Sequence, residues 1–232
     1  MLEHPSTSWP RTGGLLAAGW VAVTAVVVGW GWLLTNHLEG SIGAADDDLA
    51  RGIAAERTAA LTDAAEVGAY AGETVVGAVV IGLAAVVFAV WRRSWLPILF
   101  VVLVEAGIGG IYWFGTHLDP RPRPPVQILD QGLVPDHSFP SGHTGTAVAV
   151  FLALAFLIWT YTRIPRGWAL LLVLVPLACG TARLYQGAHH LSDVLTSVVY
   201  ATVWIALVAR LILGRESPVS ACPGATHASS AR

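Results

Sequence analysis

Six stretches of this chain are each near the ~20 residues that a helix needs to cross a bilayer. They run over residues 14–35, 72–91, 95–116, 141–162, 167–187 and 191–213. Inside hydrocarbon a backbone must satisfy its own N–H and C=O groups, so each stretch is expected to be a helix. Charge is scarce: 12% of the 232 residues are charged and 55% are hydrophobic, where a soluble domain carries roughly twice that charge fraction. The expected fold is all-α: a polytopic membrane protein built as one six-transmembrane-helix bundle over residues 1–213. The Ser-, Ala- and Pro-rich stretch 214–232 is expected to be a disordered cytoplasmic tail. The first apolar run is too long for a signal peptide and lacks a convincing small-residue cleavage site, so an uncleaved anchor is expected.

Arginine sets the expected topology, because all 13 basic residues are arginine. Arg11 precedes the first span, Arg92 and Arg93 join spans two and three, and Arg163 and Arg166 join spans four and five. Arg210 and Arg215 end span six. The positive-inside rule puts all seven on the cytoplasmic side, with both termini there. In an apparently bacterial chain that membrane is the plasma membrane. Residues 36–71, the 117–140 loop and the turn at 188–190 then face outward. Arg121, Arg123 and Arg183 lie on that outer side against the bias, and a bound anion would explain them. The net charge of −2 decides nothing, and Cys179 and Cys222 offer neither a disulfide framework nor metal spacing.

Residues 44–71 are Ala-rich, with charges interspersed and apolar positions at Leu49, Ile53, Ala60 and Ala64. That spacing predicts one outer amphipathic helix between spans one and two, lying at the interface or forming a lid over a lipid entrance. Glu105 falls in the middle of span three. An ionisable group at that depth is expected to face the bundle interior, as a packing contact or as part of a lipid path.

Three short motifs stand at the outer ends of consecutive spans. Arg121-Pro122-Arg123-Pro124 holds two guanidiniums on a backbone that proline biases to extended conformations. Pro140-Ser141-Gly142-His143 stands where a loop enters span four. A helix N-terminus there offers free N–H groups to a phosphate, Gly142 permits close approach, and Ser141 adds a hydroxyl. The third motif runs from Arg183 to Asp193. His189 and Asp193 are four apart and would share a helix face, so the carboxylate could fix the tautomer of the imidazole. His190, three before Asp193, could touch the same carboxylate, but is expected to be an interfacial polar residue. Arginine forks match phosphate oxygens, one imidazole can attack phosphorus, and another can protonate the leaving oxygen.

These motifs resemble the type 2 phosphatidic acid phosphatase family, whose signature is Lys-x6-Arg-Pro, Pro-Ser-Gly-His and Ser-Arg-x5-His-x3-Asp. The second element is intact at 140–143. The third is intact from Arg183 through His189 to Asp193, with Ala182 in place of its serine. In the first, Arg123-Pro124 matches and Thr116 holds the lysine position. The resemblance covers about residues 45–213 and implies a six-helix bundle with its site at the outer face. It implies His189 as nucleophile, Asp193 as its orienting partner and His143 as acid for the leaving group. Arg123, Arg183, Ser141 and Gly142 would hold the phosphate, and Arg121 is a candidate for the place of the missing lysine. No metal and no other cofactor is implied.

The expected activity is hydrolysis of a lipid phosphate or pyrophosphate through a phosphohistidine. Polyprenyl pyrophosphate, phosphatidic acid and phosphatidylglycerol phosphate are the candidate substrates. The alternatives are a non-catalytic lipid-phosphate binder or transporter on the same fold, and a lipid phosphotransferase. The bilayer and the lipid are the expected partners, with no nucleic acid; the oligomeric state is left open.

Overall fold

The computed structural model describes residues 8–215, and no strand is present among them. α1 (Trp9–Asn36) is followed by a π-helical turn, Glu39–Gly43, and by two short helices, α2 (Ala44–Ala55) and α3 (Ala59–Tyr70). Then come α4 (Thr74–Arg92), α5 (Leu96–Leu118) and, after a loop, α6 (Gly142–Tyr161). α7 (Arg166–Leu170), α8 (Leu174–Tyr185) and α9 (Leu191–Ile212) complete the chain, with a 3-10 turn at Leu213–Arg215. Among the described residues, six helical segments are long and apolar enough to cross a membrane, as the six apolar runs predict. This is an integral membrane protein.

α6 is the axis of the bundle, packed against α4, α5, α8 and α9. Its buried face carries Gly145, Ala147, Ala149, Ala153 and Ala155. Small residues suit that position, because helices in lipid associate by close backbone approach rather than by expelling water. Leu, Val and Trp side chains of the outer helices, such as Val26, Val90 and Trp168, point away from the protein, where lipid rather than water is the solvent.

The fifth span differs from the single helix expected. α7 gives way to a 3-10 stretch, Leu171–Val173, before α8 begins. Pro176 supplies the reason: it has no N–H to donate, and its ring crowds the carbonyl four residues back, at Leu172.

The outer amphipathic segment is two helices, not one. Thr58 breaks it, in extended conformation with its side chain accepting from the Leu61 N–H. The buried positions also differ from the stripe the spacing predicts. Asp46, Ala50, Ala65 and Ala69 face inward, while Leu49 is 40% exposed. α3 lies along α8 and buries its alanines there. α2 instead turns a carboxylate inward, for a reason found in the site. Of the expected tail, 214 and 215 end the 3-10 turn and the rest, Cys222 included, lies outside the described residues.

Candidate active site

The loop between α5 and α6 is pinned as extended chain, as its prolines require. Arg121 N–H donates to Asp136 O at 2.8 Å, Ser138 N–H to Arg121 O at 3.1 Å and Arg123 N–H to Pro135 O at 3.2 Å. The turn between α8 and α9 closes on it, with Leu129 N–H donating to Gln186 O at 3.0 Å. Gly187 sits in that turn at φ +68, and a Cβ there would come within 2.7 Å of Val126 and 2.9 Å of Arg57 Nη2. Only glycine fits both the backbone and the space. The Arg57 guanidinium, at the break between α2 and α3, clamps the same turn by donating to Tyr185 O and to Gln127 O. The first and third motifs are thus held in one rigid layer.

His189 is buried in that layer. Its Nδ1 lies 2.6 Å from the carbonyl oxygen of Ser138. A carbonyl only accepts, so Nδ1 carries the hydrogen and Nε2 keeps its lone pair. Burial drives the imidazole pKa down to about 3, against the pull of Asp193, and Arg183 and Arg123 push the same way as burial. The ring is therefore neutral at ordinary pH, in the tautomer a nucleophile needs.

Asp193 does not make the hydrogen bond to His189 that the four-residue spacing predicts. One oxygen, Oδ2, accepts from the His190 N–H at 2.8 Å, from Ser138 Oγ at 2.7 Å and faces His190 Nδ1 at 3.2 Å. The other, Oδ1, accepts from Arg121 Nη1 at 2.5 Å. The reason is the cap. His190 is the N-cap of α9 and Asp193 its third residue, so the carboxylate folds back onto the N-cap N–H. Besides its through-space charge, Asp193 is linked to His189 through Ser138, whose hydroxyl it holds and whose carbonyl holds the ring. His190 is likewise not interfacial. It is buried, with Nδ1 facing Asp193 and Nε2 3.1 Å from Asp47 of α2.

The three arginines have different surroundings. Arg183 is 1% exposed. Its Nη1 donates to Asp130 at 2.7 Å and to Gln186 at 2.8 Å. Its Nε and Nη2 are buried with no partner among the described residues. Arg123 donates to the carbonyls of Val134, Ala188 and His137, at 2.9, 2.5 and 3.1 Å. Burial and the neighbouring Arg183 hold it below the ordinary guanidinium value. Two cations kept this close repel, and an anion between them relieves the repulsion. Arg121 is in a different situation from the one the sequence suggests for it. Besides Asp193, it donates to Ser192 Oγ at 2.7 Å and to Asp46 Oδ2 at 3.0 Å. Asp46 also accepts from Ser192 N–H and Oγ. This guanidinium is committed to two buried carboxylates, which is why α2 turns Asp46 inward.

Pro140-Ser141-Gly142-His143 begins α6 as expected, but two of its residues are occupied differently. Ser141 is the N-cap. Its hydroxyl accepts from Thr144 N–H at 3.4 Å and pairs with Thr144 Oγ1 at 2.9 Å. The space beside Gly142 belongs to the ring of Tyr112, which a Cβ would approach to 3.0 Å. The N–H groups of Gly142 and His143 remain the first of the helix, without intrahelical partners. His143 is half-buried, electrostatically coupled to Arg183 and Asp130. Its Nε2 lies 3.3 Å from Glu73.

The two departures from the signature also have places. Thr116 is buried in α5, its hydroxyl donating to the Tyr112 and Trp113 carbonyls. Ala182 packs against α3, where a Cβ on Gly68 would come within 3.0 Å of it. Sequence reading missed Ser138, Asp46, Asp130 and Glu73. Ser138 lies three residues before Ser141, outside any motif. Asp46 and Glu73 are distant in sequence, and only the packing of α2 and of the α3–α4 elbow brings them in. Glu105 Oε1 in α5 is buried with no partner among the described residues.

A family model described as the PAP2 superfamily matches residues 94–216, more than half of the chain and all three motifs. The chain is 32% identical over 133 residues to undecaprenyl-diphosphatase BcrC of Bacillus subtilis strain 168, a match covering 53% of this chain and 64% of that protein. The chain thus spans less than two thirds of that relative's length. Its fold is similar to the crystal structure of the first transmembrane PAP2 type phosphatidylglycerolphosphate phosphatase from Bacillus subtilis. The TM-score is 0.69, over 87% of this chain and 96% of the other, at 19% identity. At that identity the likeness speaks for the fold.

Proposed function

Since the chain belongs to the PAP2 superfamily, we propose that it is a membrane phosphatase that hydrolyses a lipid phosphate or pyrophosphate through a phosphohistidine. One observation carries the reading: the unpaired, buried Nε and Nη2 of Arg183 beside an imidazole with one unprotonated nitrogen. A buried donor without a partner costs about 1–3 kcal/mol, and a phosphoryl oxygen removes that cost.

In this mechanism Arg183 and Arg123 hold the phosphoryl oxygens, helped by the first N–H groups of α6. His189 Nε2 attacks phosphorus. The P–N bond forms as the bond to the lipid oxygen breaks, and His143 gives its proton to that oxygen. Water then attacks phosphorus, His143 takes a proton from it, and phosphate leaves with the His189 lone pair restored. Asp193 and Ser138 keep the His189 ring in register. Both ring nitrogens of His190 face carboxylates, which supports His189 as the nucleophile. Arginines and a helix terminus supply the positive charge, so activity is expected to survive EDTA, and vanadate is expected to inhibit.

A polyprenyl pyrophosphate is the first substrate to test. The sequence relative is named for undecaprenyl diphosphate, while the structural relative named for phosphatidylglycerolphosphate shares only the fold. The decisive experiment follows phosphate release from both lipids and phosphatidic acid in detergent, with His189→Ala alongside. Release by the wild type alone supports the reading. Binding of lipid phosphates without release would mean a binder or transporter, and transfer to an acceptor other than water a phosphotransferase.

The arginine distribution supports an outward-facing site with both termini cytoplasmic. Gln131 and Ile164 are exposed at opposite ends of α6. In a Cys179→Ala, Cys222→Ala background, Gln131→Cys is expected to react with an impermeant thiol reagent in intact cells, and Ile164→Cys is not. The reverse pattern would invert the protein.

A further inference from the structure

We propose that Glu73, at the elbow between α3 and α4, is a positioning residue that holds the ring of His143 for proton transfer to the leaving oxygen. The inference rests on the reading of His143 as the proton donor.

The elbow is built against that histidine. Gly72 is buried, and a Cβ on it would come within 2.5 Å of the His143 carbonyl oxygen, 2.8 Å of His143 Cβ and 2.8 Å of Cys179 Sγ. The backbone before Glu73 therefore lies directly on the start of α6, at a separation only glycine permits. α3 is anchored on α8, which carries Arg183, and α4 on α6, which carries His143. Glu73 stands where these two packings meet, so its position relative to His143 is fixed from both sides.

The use of the carboxylate is the second observation. Glu73 is the N-cap of α4, in extended conformation, yet its side chain makes no capping hydrogen bond. An acid at that position ordinarily turns to its own helix N-terminus, where free N–H groups and the dipole favour it. Here Oε1 reaches to within 3.3 Å of His143 Nε2 instead. A carboxylate on the rim of a phosphate site repels the phosphate, so its presence there needs a function other than binding. A carboxylate can only accept, so the contact places a hydrogen on Nε2 and fixes the plane of the ring. With Nε2–H held by Glu73, Nδ1 is left to give the second hydrogen of the protonated ring to the departing lipid oxygen and to take one back from water. The other charged groups acting on His143 are Arg183 of α8 and Asp130 of the α5–α6 loop. Neither makes a hydrogen bond to the ring. Glu73 is half-exposed, so its replacement leaves the core intact.

The test separates positioning from support of the fold. A diacylglycerol phosphate leaves as an alkoxide that must gain a proton, whereas p-nitrophenyl phosphate leaves as a stable phenolate. Leaving-group release in the first turnover is measured on both for wild type, Glu73→Gln, Glu73→Ala, His143→Ala and the Glu73→Ala, His143→Ala double variant. Glu66→Gln, on exposed α3 surface, controls for surface charge. Glu73→Ala is expected to slow release from the lipid roughly tenfold, the scale of one charged hydrogen bond. It is expected to leave p-nitrophenyl phosphate and the KM for the lipid nearly unchanged. Glu73→Gln, which can still accept from Nε2, is expected to lose less. In the His143→Ala background the Glu73 substitution is expected to add nothing. Equal losses on both substrates, no loss, or additive losses in the double variant would overturn the role of Glu73. Should His143→Ala itself slow both substrates equally, the assignment of His143 as proton donor falls, and the inference with it.

Discussion

On the α8 side of the His189 turn, Arg183 is buried with its Nε and Nη2 unpaired. On the α2 side, Arg121 is equally buried, but its fork is divided among Asp46, Asp193 and Ser192. Both arginines occur in motifs. We propose that a buried guanidinium with both terminal nitrogens bonded to carboxylates is a fastener, and that one with buried donors left over is a binding site. The difference comes from the neighbouring helices. α3 presents alanines to α8, and Arg183 has a single carboxylate partner, Asp130 of the α5–α6 loop, whereas α2 presents Asp46 to Arg121 as a second carboxylate.

The contrast is broken or sharpened first at the proposed nucleophile between the two regions. His189→Ala is expected to abolish phosphate release, a loss beyond a thousandfold if it removes the covalent route. His190→Ala, which removes a ring held on the α2 side, is expected to retain most activity. A dead His190→Ala beside an active His189→Ala would reverse the assignment. Next in size is Arg121→Ala. It leaves two carboxylates buried without their cation, a change that typically costs about 3–5 kcal/mol. The effect is expected in thermal unfolding in detergent, with little change in competitive inhibition by inorganic phosphate. Arg183→Ala is expected to do the opposite. It weakens phosphate inhibition and turnover by about 1.5–3 kcal/mol, roughly tenfold to a hundredfold, and perturbs melting less. If both variants lower melting alike and bind phosphate alike, the distinction between fastener and site is wrong.

A smaller effect is expected at Ser138. Ser138→Ala keeps the carbonyl that holds His189 but loses the hydroxyl bonded to Asp193. It is expected to cost about 1 kcal/mol, read as a severalfold fall in kcat at unchanged KM. The smallest effect is one of pH. The folded pKa of His189, about 3, lies below the ordinary value near 6.5. The unfolded chain therefore binds the proton first as pH falls. The neutral, buried ring contributes stability in full above about pH 6.5, and that contribution is lost progressively toward pH 3. The melting temperature of the wild type is expected to fall more steeply than that of His189→Asn between pH 6.5 and 4. Parallel curves would mean that the ring is not held neutral.

Much of this was legible in the chain. Six apolar runs near the bilayer's thickness specify six helices, because hydrocarbon leaves the backbone no other way to satisfy itself. The prolines of 121–124 specify an extended loop. The grouping of His143, Arg123, Arg183 and His189 also follows from order and spacing, since motifs at the same ends of neighbouring spans must meet. Partnership was not legible. The spacing of His189 and Asp193 suits a hydrogen bond, but spacing fixes only a shared face. The capping demand of α9 and the guanidinium of Arg121 compete for the same carboxylate and take it. The role of Arg121 depends on Asp46, 75 residues earlier, and the contact of His143 on Glu73, 70 residues earlier. Sequence determined where the membrane spans are and which chemical groups stand at their ends, because those follow from local polarity and backbone geometry. Only tertiary structure decided which of those groups are already satisfied, because hydrogen-bond partners are allotted by three-dimensional proximity and not by order along the chain.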